Sequence, residues 1–316
     1  MINIHPHPDP DSIGSALALA NVIKQITGTA FVRSYKSGTH IDIVSPEKIR
    51  EDYSYLKNFD KVKVIDFSSY DFSEYDLFLL IDASSYDRVT GDKKINLQQN
   101  SKIIIDHHLK NTLTGEIKLV DTETCATSEI LYKIFLDWKV RIDKDTATCL
   151  YAGIAGDTVY FRTDSTSKNT FKLVSELIEL GADKDLVLRK LYRSYDLNFL
   201  KLLGKFLDKL EKGKDGRFVW SAVSFEEYDK LGKPVGGQSA AADMFFNTVT
   251  GTDFGIALLE TKKGETNCSF RSKPNVDVSV LARALGGGGH KNAAGATIFG
   301  NFNDIVQKVL KTAKNL

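Results

Sequence analysis

Short apolar runs alternate with helix-length amphipathic segments from the start of the chain to about residue 183, the pattern of a mostly parallel sheet covered by helices. Met1 to His5, Lys61 to Asp66, Leu77 to Asp82 and Lys102 to Asp106 read as strands. The last two contain the continuous runs Leu-Phe-Leu-Leu-Ile and Ile-Ile-Ile, and each stops on an aspartate. Strands buried on both faces look like this when their C-terminal ends open onto a polar site. Ser12 to Ile26 reads as the first helix, with Ser12 as its N-cap. Helical periodicity returns at Ser128 to Leu136, Lys144 to Ala155, Lys168 to Leu180 and Phe199 to Leu210, the last closed by the breaker-rich Lys212-Gly213-Lys214-Asp215-Gly216. Beyond it, Arg217 to Ser224 and Phe254 to Glu260 read as strands and Val278 to Leu285 as a helix. The run Gly286 to Gly289 then separates that helix from a final strand around Ala296 to Phe299. The expected architecture is an α/β domain over residues 1–183 with helices on both faces of its sheet, a helical linker over 184–212, and a smaller α+β domain over 213–316.

Length and charge are consistent with that division. A chain of 316 residues has room for two ordinary domains. With 42 Lys+Arg against 41 Asp+Glu, the formal charge is +1. No global field draws such a chain onto long nucleic acid or an anionic membrane, so any nucleic-acid contact is local. No apolar run approaches the ~20 residues of a membrane span, and no basic segment leads into an apolar one at the start. A soluble cytoplasmic protein without a membrane partner is expected. Cys125, Cys149 and Cys268 form no CxxC pair, which fits neither a disulfide framework nor a thiolate zinc site.

Histidine is scarce and clustered: of six, only His40 stands apart from three short polar segments. In the first, His5 to Ser15, a strand runs into a loop with Pro6, Pro8 and Pro10 before a helix. The prolines stiffen the backbone, so His7, Asp9 and Asp11 lose little freedom on binding a cation. A Pro/Asp turn in which Asp11 only helps to cap the helix is the competing reading. Asp82 leaves a hydrophobic strand where both carboxylate oxygens can project past the sheet and bridge two cations, although strand-end aspartates also serve as plain turn residues. Asp106-His107-His108 follows another buried strand. One imidazole there can ligate a metal while the other faces substrate, and Asp106 can orient an imidazole from behind. Two surface histidines in a loop would look the same. Asp157 stands at a glycine-bearing helix end, where the backbone can come close to a site.

Taken together and in order, these segments resemble the DHH phosphoesterase family. His5 to Ser15 resembles its first motif, HxNxDxDxxGS, Asp82 its lone strand-end aspartate, Asp106 to His108 its signature, and Asp157 its fourth aspartate. His7 stands where many members carry asparagine, which leaves it a ligand, a supporting donor or a bystander. In the C-terminal part, Ser269-Phe270-Arg271-Ser272 and Gly286 to Gly295 look like a DHHA1 substrate domain. Arg271, Ser272, Gly287, Gly288, Gly289 and His290 are the candidate phosphate clamp, because glycine amides approach a phosphate closely and Arg271 and His290 add donors. A flexible glycine loop is the bland alternative.

The resemblance implies one metal held by His5, Asp9 and Asp82 and a second by Asp11, Asp82, His107 and Asp157, with Asp82 as the bridge. Asp106 and His7 would lie behind the ligands. It also implies a two-metal hydroxide mechanism in which His108 donates to a phosphoryl oxygen or to the leaving group. Mixed imidazole and carboxylate ligands without thiolate favour two manganese ions. Chain length and the DHHA1 type point to the nanoRNase branch, acting on short RNA or DNA oligonucleotides and on small nucleotides such as 3′-phosphoadenosine 5′-phosphate. The alternatives are a single-strand exonuclease, a phosphodiesterase for the linear products of cyclic dinucleotides, and a metal-binding nucleotide sensor without turnover. A homodimer is left open.

Overall fold

The computed structural model of the chain describes residues 1–28, 40–95, 97 and 101–316 and divides it into two compact units, Met1–Ser194 and Tyr195–Leu316. The first unit runs β1 (Ile2–Asn3), α1 (Pro10–Thr27), β2 (Ile43–Ser45), β3 (Val62–Val64), β4 (Leu77–Ile81), α2 (Tyr86–Thr90), β5 (Ser101–Asp106), β6 (Ile117–Val120), α3 (Thr127–Asp137), α4 (Lys144–Asp157), α5 (Lys168–Glu179) and α6 (Lys184–Tyr192). Its sheet has the order β3-β2-β1-β4-β5-β6, and every pairing is parallel. From β1 the chain moves outward to β3, then returns past β1 to β4 and continues the other way. The β1/β4 boundary is therefore a topological switch point, where an open parallel sheet leaves a crevice beyond its carboxyl ends.

Alternation along the strands sends Ile43, Ile81 and Ile105 into a core shared with α1, α3 and α4, and Val44, Phe78, Leu80 and Ile104 into a second core with Val89 of α2. Both faces are covered, which is why the central strands lack polar alternation. Helix α1 starts earlier than the periodicity suggests. Asp9, not Ser12, is its N-cap and accepts from the Ser12 amide at 2.9 Å. Pro10 occupies the first helical position, where its missing N–H costs nothing. Helices α1 and α4 run antiparallel in close contact: a Cβ on Gly14 would lie 2.3 Å from the Cys149 carbonyl, and one on Gly156 would lie 2.6 Å from Pro10. The start of α1 and the end of α4 consequently share one edge of the unit.

The second unit runs α7 (Leu197–Asp208), β7 (Glu211–Lys212), β8 (Phe218–Val223), α8 (Phe225–Lys230), α9 (Gly237–Met244), β9 (Phe254–Lys262), β10 (Glu265–Ser272), α10 (Val278–Ala284), β11 (Gly288–Gly289), β12 (Ala293–Phe299) and α11 (Phe302–Ala313). Its mixed sheet has the order β11-β12-β10-β9-β8-β7. Phe218, Ile256 and Phe270 pack with α10 and α11 on one face, and Val219, Ala257 and Leu259 with α7 and α9 on the other. The segment expected as a linker, 184–212, is shared out between the units. Val187 of α6 lies in the first core, and Leu202, Leu203 and Phe206 of α7 lie in the second. Strands β2, β6 and β10 and helices α9 and α11 carry no expectation from the periodicity read above. Edge strand β6 shows why: Ile117 and Leu119 are half exposed, so no buried apolar run marks it. Among the described residues, no helix is long and apolar enough to cross a membrane.

Candidate active site

The switch-point crevice collects His5 just beyond β1, Asp82 just beyond β4, and Asp106, His107 and His108 at the end of β5. The α1 N-terminus adds Asp9 and Asp11, and the α4 C-terminus adds Asp157. His5 is fully buried. Its Nδ1 lies 2.9 Å from the Pro6 carbonyl, which can only accept, so the proton sits on Nδ1 and Nε2 is left bare. Among the described residues that Nε2 has no hydrogen-bond partner, yet it faces Asp9 Oδ2 at 3.4 Å and Asp82 Oδ2 at 3.5 Å. A buried orphan acceptor between two carboxylates is the arrangement a cation resolves.

Asp82 presents its other oxygen, Oδ1, to His107 Nε2 at 3.7 Å and His108 Nδ1 at 3.8 Å. His107 also reaches Asp157 Oδ2 at 3.0 Å. The potential ligand atoms form three overlapping groups, each within 4.8 Å: His5, Asp9 and Asp82; Asp82, His107 and His108; Asp11, His107 and Asp157. All six residues expected as ligands are thus brought together, and His108 joins them. Asp106 supports this set from behind, with Oδ1 2.7 Å from His108 Nδ1 and Oδ2 accepting from Asn111 Nδ2 at 2.7 Å. His7 stays apart. It is exposed, pairs with Glu47 at 3.1 Å, and takes a left-handed backbone of φ 53°.

Electrostatics describe the same pocket. Burial opposes charge on His5, but the Asp82 and Asp9 carboxylates facing Nε2 outweigh it and raise the imidazole pKa to about 10, so a proton or a cation is drawn to that nitrogen. His107 is likewise opposed by burial and raised to about 10 by Asp157 and the charges around it. Burial together with the charges of Asp82 and Asp157 drives the Asp11 carboxyl well above its usual range. Asp157 rises to about 6, through burial first and then the charges of Asp9 and Asp82. Converging carboxylates require positive charge among them, which protonated imidazoles or divalent cations can supply.

The ends of the helices are held with some strain. Directly after Asp157, Val159, Tyr160 and Phe161 have φ of 46°, 57° and 65°, a left-handed turn costing roughly 1–2 kcal/mol per residue. Tyr160 packs on Tyr192 and Phe161 on Tyr151 and Phe171, and these contacts hold the turn that ends α4. Gly153 lies one turn earlier, where a Cβ would come 2.1 Å from Ser128 Oγ and 2.5 Å from Asp11 Oδ1. Gly153→Ala is expected to cost about 1–3 kcal/mol by overpacking and to displace Asp11. A lower melting temperature together with reduced metal affinity would register both effects, and an unshifted melt would contradict the close packing.

In the second unit, Arg271 on β10 pairs with Asp243 at the end of α9, and its Nη1 donates to the Phe270 carbonyl at 3.0 Å. Ser272 is buried and committed: its Oγ donates to the Val276 carbonyl at 2.7 Å and accepts from Asn292 at 3.1 Å. Within the glycine run, Gly288–Gly289 form an edge strand against β12. A Cβ on Gly287 would lie 2.1 Å from the Gly295 carbonyl, and one on Gly289 would lie 2.6 Å from Ala294 Cα. Those two glycines permit close approach to β12, whereas the Cβ position of Gly288 is open. The amides of Gly287 and His290 donate to the Ala282 and Ala293 carbonyls. Because His290 and Ala293 exchange both backbone bonds, the neighbouring Gly289–Ala294 pair is the non-bonded kind, and the Gly289 N–H faces away from β12. The His290 side chain is exposed beside it.

Sequence reasoning passed over four contributors: Thr127 and Ser128, whose amides hold Asp11 at 2.6 and 3.0 Å, Arg88, whose charge adds to His5 and the Ser12 amide in holding the Asp9 carboxyl below its usual range against burial, and Asp243. Only Thr127 and Ser128 carried a signal, as hydroxyl residues at the head of a helical run.

Residues 1–154 match the model of the DHH family, N-terminal domain, and residues 236–315 that of the DHHA1 domain. The chain is 28% identical to the "Bifunctional oligoribonuclease and PAP phosphatase NrnA" of Bacillus subtilis, over 95% of this chain and 89% of that one. It is 27% identical to the "Cyclic-di-AMP phosphodiesterase PdeA" of Listeria monocytogenes, over 92% of this chain and 43% of that one. The crystal structure of an exopolyphosphatase-related protein from Bacteroides fragilis superposes with a TM-score of 0.86 at 24% identity, covering 99% of this chain and 92% of that one. That likeness concerns the fold. Two family domains matched in order, the motifs of the first carried to one crevice, and near full-length relatives place the chain in the DHH family of phosphoester hydrolases, with an N-terminal DHH domain followed by a DHHA1 domain.

Proposed function

We propose that this protein hydrolyses the phosphodiester bonds of very short oligonucleotides and the phosphomonoester of 3′-phosphoadenosine 5′-phosphate. The observation that carries this reading is Asp82, whose two oxygens face different histidine-containing groups in one buried crevice. His5, Asp9 and Asp82 would hold one divalent ion and Asp11, Asp82, His107 and Asp157 a second. The mixed nitrogen and oxygen donor set favours manganese. Bound there, the ions supply water activation and neutralise phosphoryl charge.

The remaining work falls to side chains. Asp106 fixes His108 through Nδ1, which leaves Nε2 as the free nitrogen of a partly exposed side chain. A proton held at His108 Nε2 is donated to the leaving oxygen or shared with a phosphoryl oxygen. Asp106 and His108 then form an orienting pair, and the pKa of His108 is raised first by that hydrogen bond. In the second unit, Arg271, His290 and the Gly289 amide would grip substrate phosphate, with phosphate replacing or sharing the Asp243 carboxylate on Arg271. Arg271→Ala and His290→Ala are expected to leave metal content intact and to raise KM by about tenfold or more, since a hydrogen bond to a charged group contributes ~1.5–3 kcal/mol. Loss of metal from either variant would contradict this separation of roles.

The Listeria relative, named for action on cyclic di-AMP, favours a second reading, a phosphodiesterase of dinucleotide messengers. A panel of dinucleotides, longer RNA and DNA, bis-phosphorylated adenosine, linear dinucleotide messengers and pyrophosphate, assayed with manganese, separates the two. Binding without turnover across the whole panel would point instead to a nucleotide sensor.

A further inference from the structure

Helix α3 begins without a side-chain cap of its own: Ala126 is the N-cap and contributes no side-chain bond. The cap arrives from 116 residues earlier in the chain. Asp11 Oδ2 accepts from the Thr127 amide at 2.6 Å, and Oδ1 accepts from the Ser128 amide at 3.0 Å and from Ser15 Oγ at 3.1 Å. A helix N-terminus stabilises an anion in this position, so both oxygens of Asp11 are oriented before any ligand arrives. The same Thr127 turns its hydroxyl to the other central carboxylate and donates to Asp82 Oδ1 at 3.1 Å. Thr127 is fully buried, and this hydroxyl contact joins it to the group through which the two ligand sets communicate.

The consequence lies in rotation about the Asp82 Cβ–Cγ bond. Oδ2 faces His5, while Oδ1 faces His107 and His108. Asp82 can serve both sets only while its carboxylate keeps that orientation, and its left-handed backbone, φ 53°, does not fix the carboxylate torsion. The Thr127 hydroxyl bonds one named oxygen and leaves that oxygen's second lone pair for a cation. We infer that Thr127 is a positioning residue that sets Asp82 against Asp11, its amide holding one carboxylate and its hydroxyl the other, and thereby fixes the spacing of two divalent ions. This rests on the two-ion reading proposed above. Groups that orient metal ligands typically contribute ~10–100-fold in affinity or activity.

The test substitutes the hydroxyl and keeps the amide. Thr127→Val preserves shape and removes the donor, and Thr127→Ser preserves the donor. Thr127→Ala, compared with Thr127→Ser, isolates the hydroxyl even if Val is poorly tolerated. Manganese affinity is measured by calorimetry on the stripped full-length chain, and kcat and KM on a dinucleotide. The expected result for Val and Ala is ~10–100-fold weaker manganese binding and a comparable fall in kcat, with KM within about twofold and Ser within about threefold of wild type in both quantities. Val and Ala variants with wild-type manganese affinity and kcat would overturn the inference. So would a Ser variant as impaired as Ala, because packing of the methyl group would then be the cause. A wild-type chain that binds no manganese would instead overturn the two-ion reading, and this inference with it.

Discussion

Asp82→Asn is expected to lower kcat by at least about a thousandfold, which corresponds to roughly 4 kcal/mol of lost transition-state stabilisation. Among the described carboxylates of the candidate set, Asp82 is the one that belongs to two groups, and its two oxygens face different histidines, so a neutral amide here weakens two sites at once. Each terminal ligand, such as His5 or Asp157, belongs to a single group and its loss should cost less. The substitution is conservative in every other respect. Asparagine tolerates the left-handed backbone at this position, and its Oδ1 can still accept from Thr127 Oγ1. Charge is the variable that changes. The check is steady-state turnover alongside metal content after dialysis. An Asp82→Asn chain that kept both its metal and its activity would end the assignment of Asp82 as the shared ligand.

A dinucleotide is expected to exceed a strand of roughly twenty nucleotides by at least tenfold in kcat/KM, or about 1.4 kcal/mol. Tracking a long single strand requires a row of cations with stacking aromatics, since every neutralised phosphate adds affinity by releasing counterions. The formal charge of the whole chain is +1, and the candidate phosphate donors Arg271, His290 and the Gly289 amide suit one or two phosphates. With about two phosphate contacts, the logarithmic salt slope of binding should be near −1.4 for a single strand. A long strand gains little affinity in return for the order it loses. Equal or better efficiency on the twenty-nucleotide strand, with a steep salt slope, would replace this reading with the exonuclease one.

The candidate ligand residues were legible in the chain because their chemistry sits at strand ends. Buried runs such as Leu77–Ile81 and Ile103–Ile105 announce themselves by hydrophobicity, and in a parallel sheet their carboxyl ends meet at one edge whatever the loops do. Position along the sequence therefore already implied that Asp82, Asp106 and His107 would meet near His5. The helical patterns bracketing Asp11 and Asp157 were equally visible. The glycines of 286–289 were visible as glycines, but their purpose was not. Two of them, Gly287 and Gly289, lack a Cβ because the neighbouring strand β12 comes too close to admit one, a requirement set by a backbone pairing that composition does not encode.

The motif residues and their order, the sheet class and the donor chemistry follow from the sequence by itself, because each depends on local periodicity or on the identity of a side chain. Orientation within the crevice is different in kind. Which oxygen of Asp82 faces which histidine, which amides hold Asp11, and which carboxylate pairs with Arg271 depend on contacts between segments 25 to 117 residues apart. Only packing brings such segments together. The turn of α1 against α4 through Gly14 and Gly153, the start of α3 over Asp11, and the exit of α4 into a left-handed turn are tertiary facts. They convert a set of plausible ligands into a site with one geometry, because a carboxylate has two oxygens and a free torsion, and only its neighbours in space decide where each oxygen points.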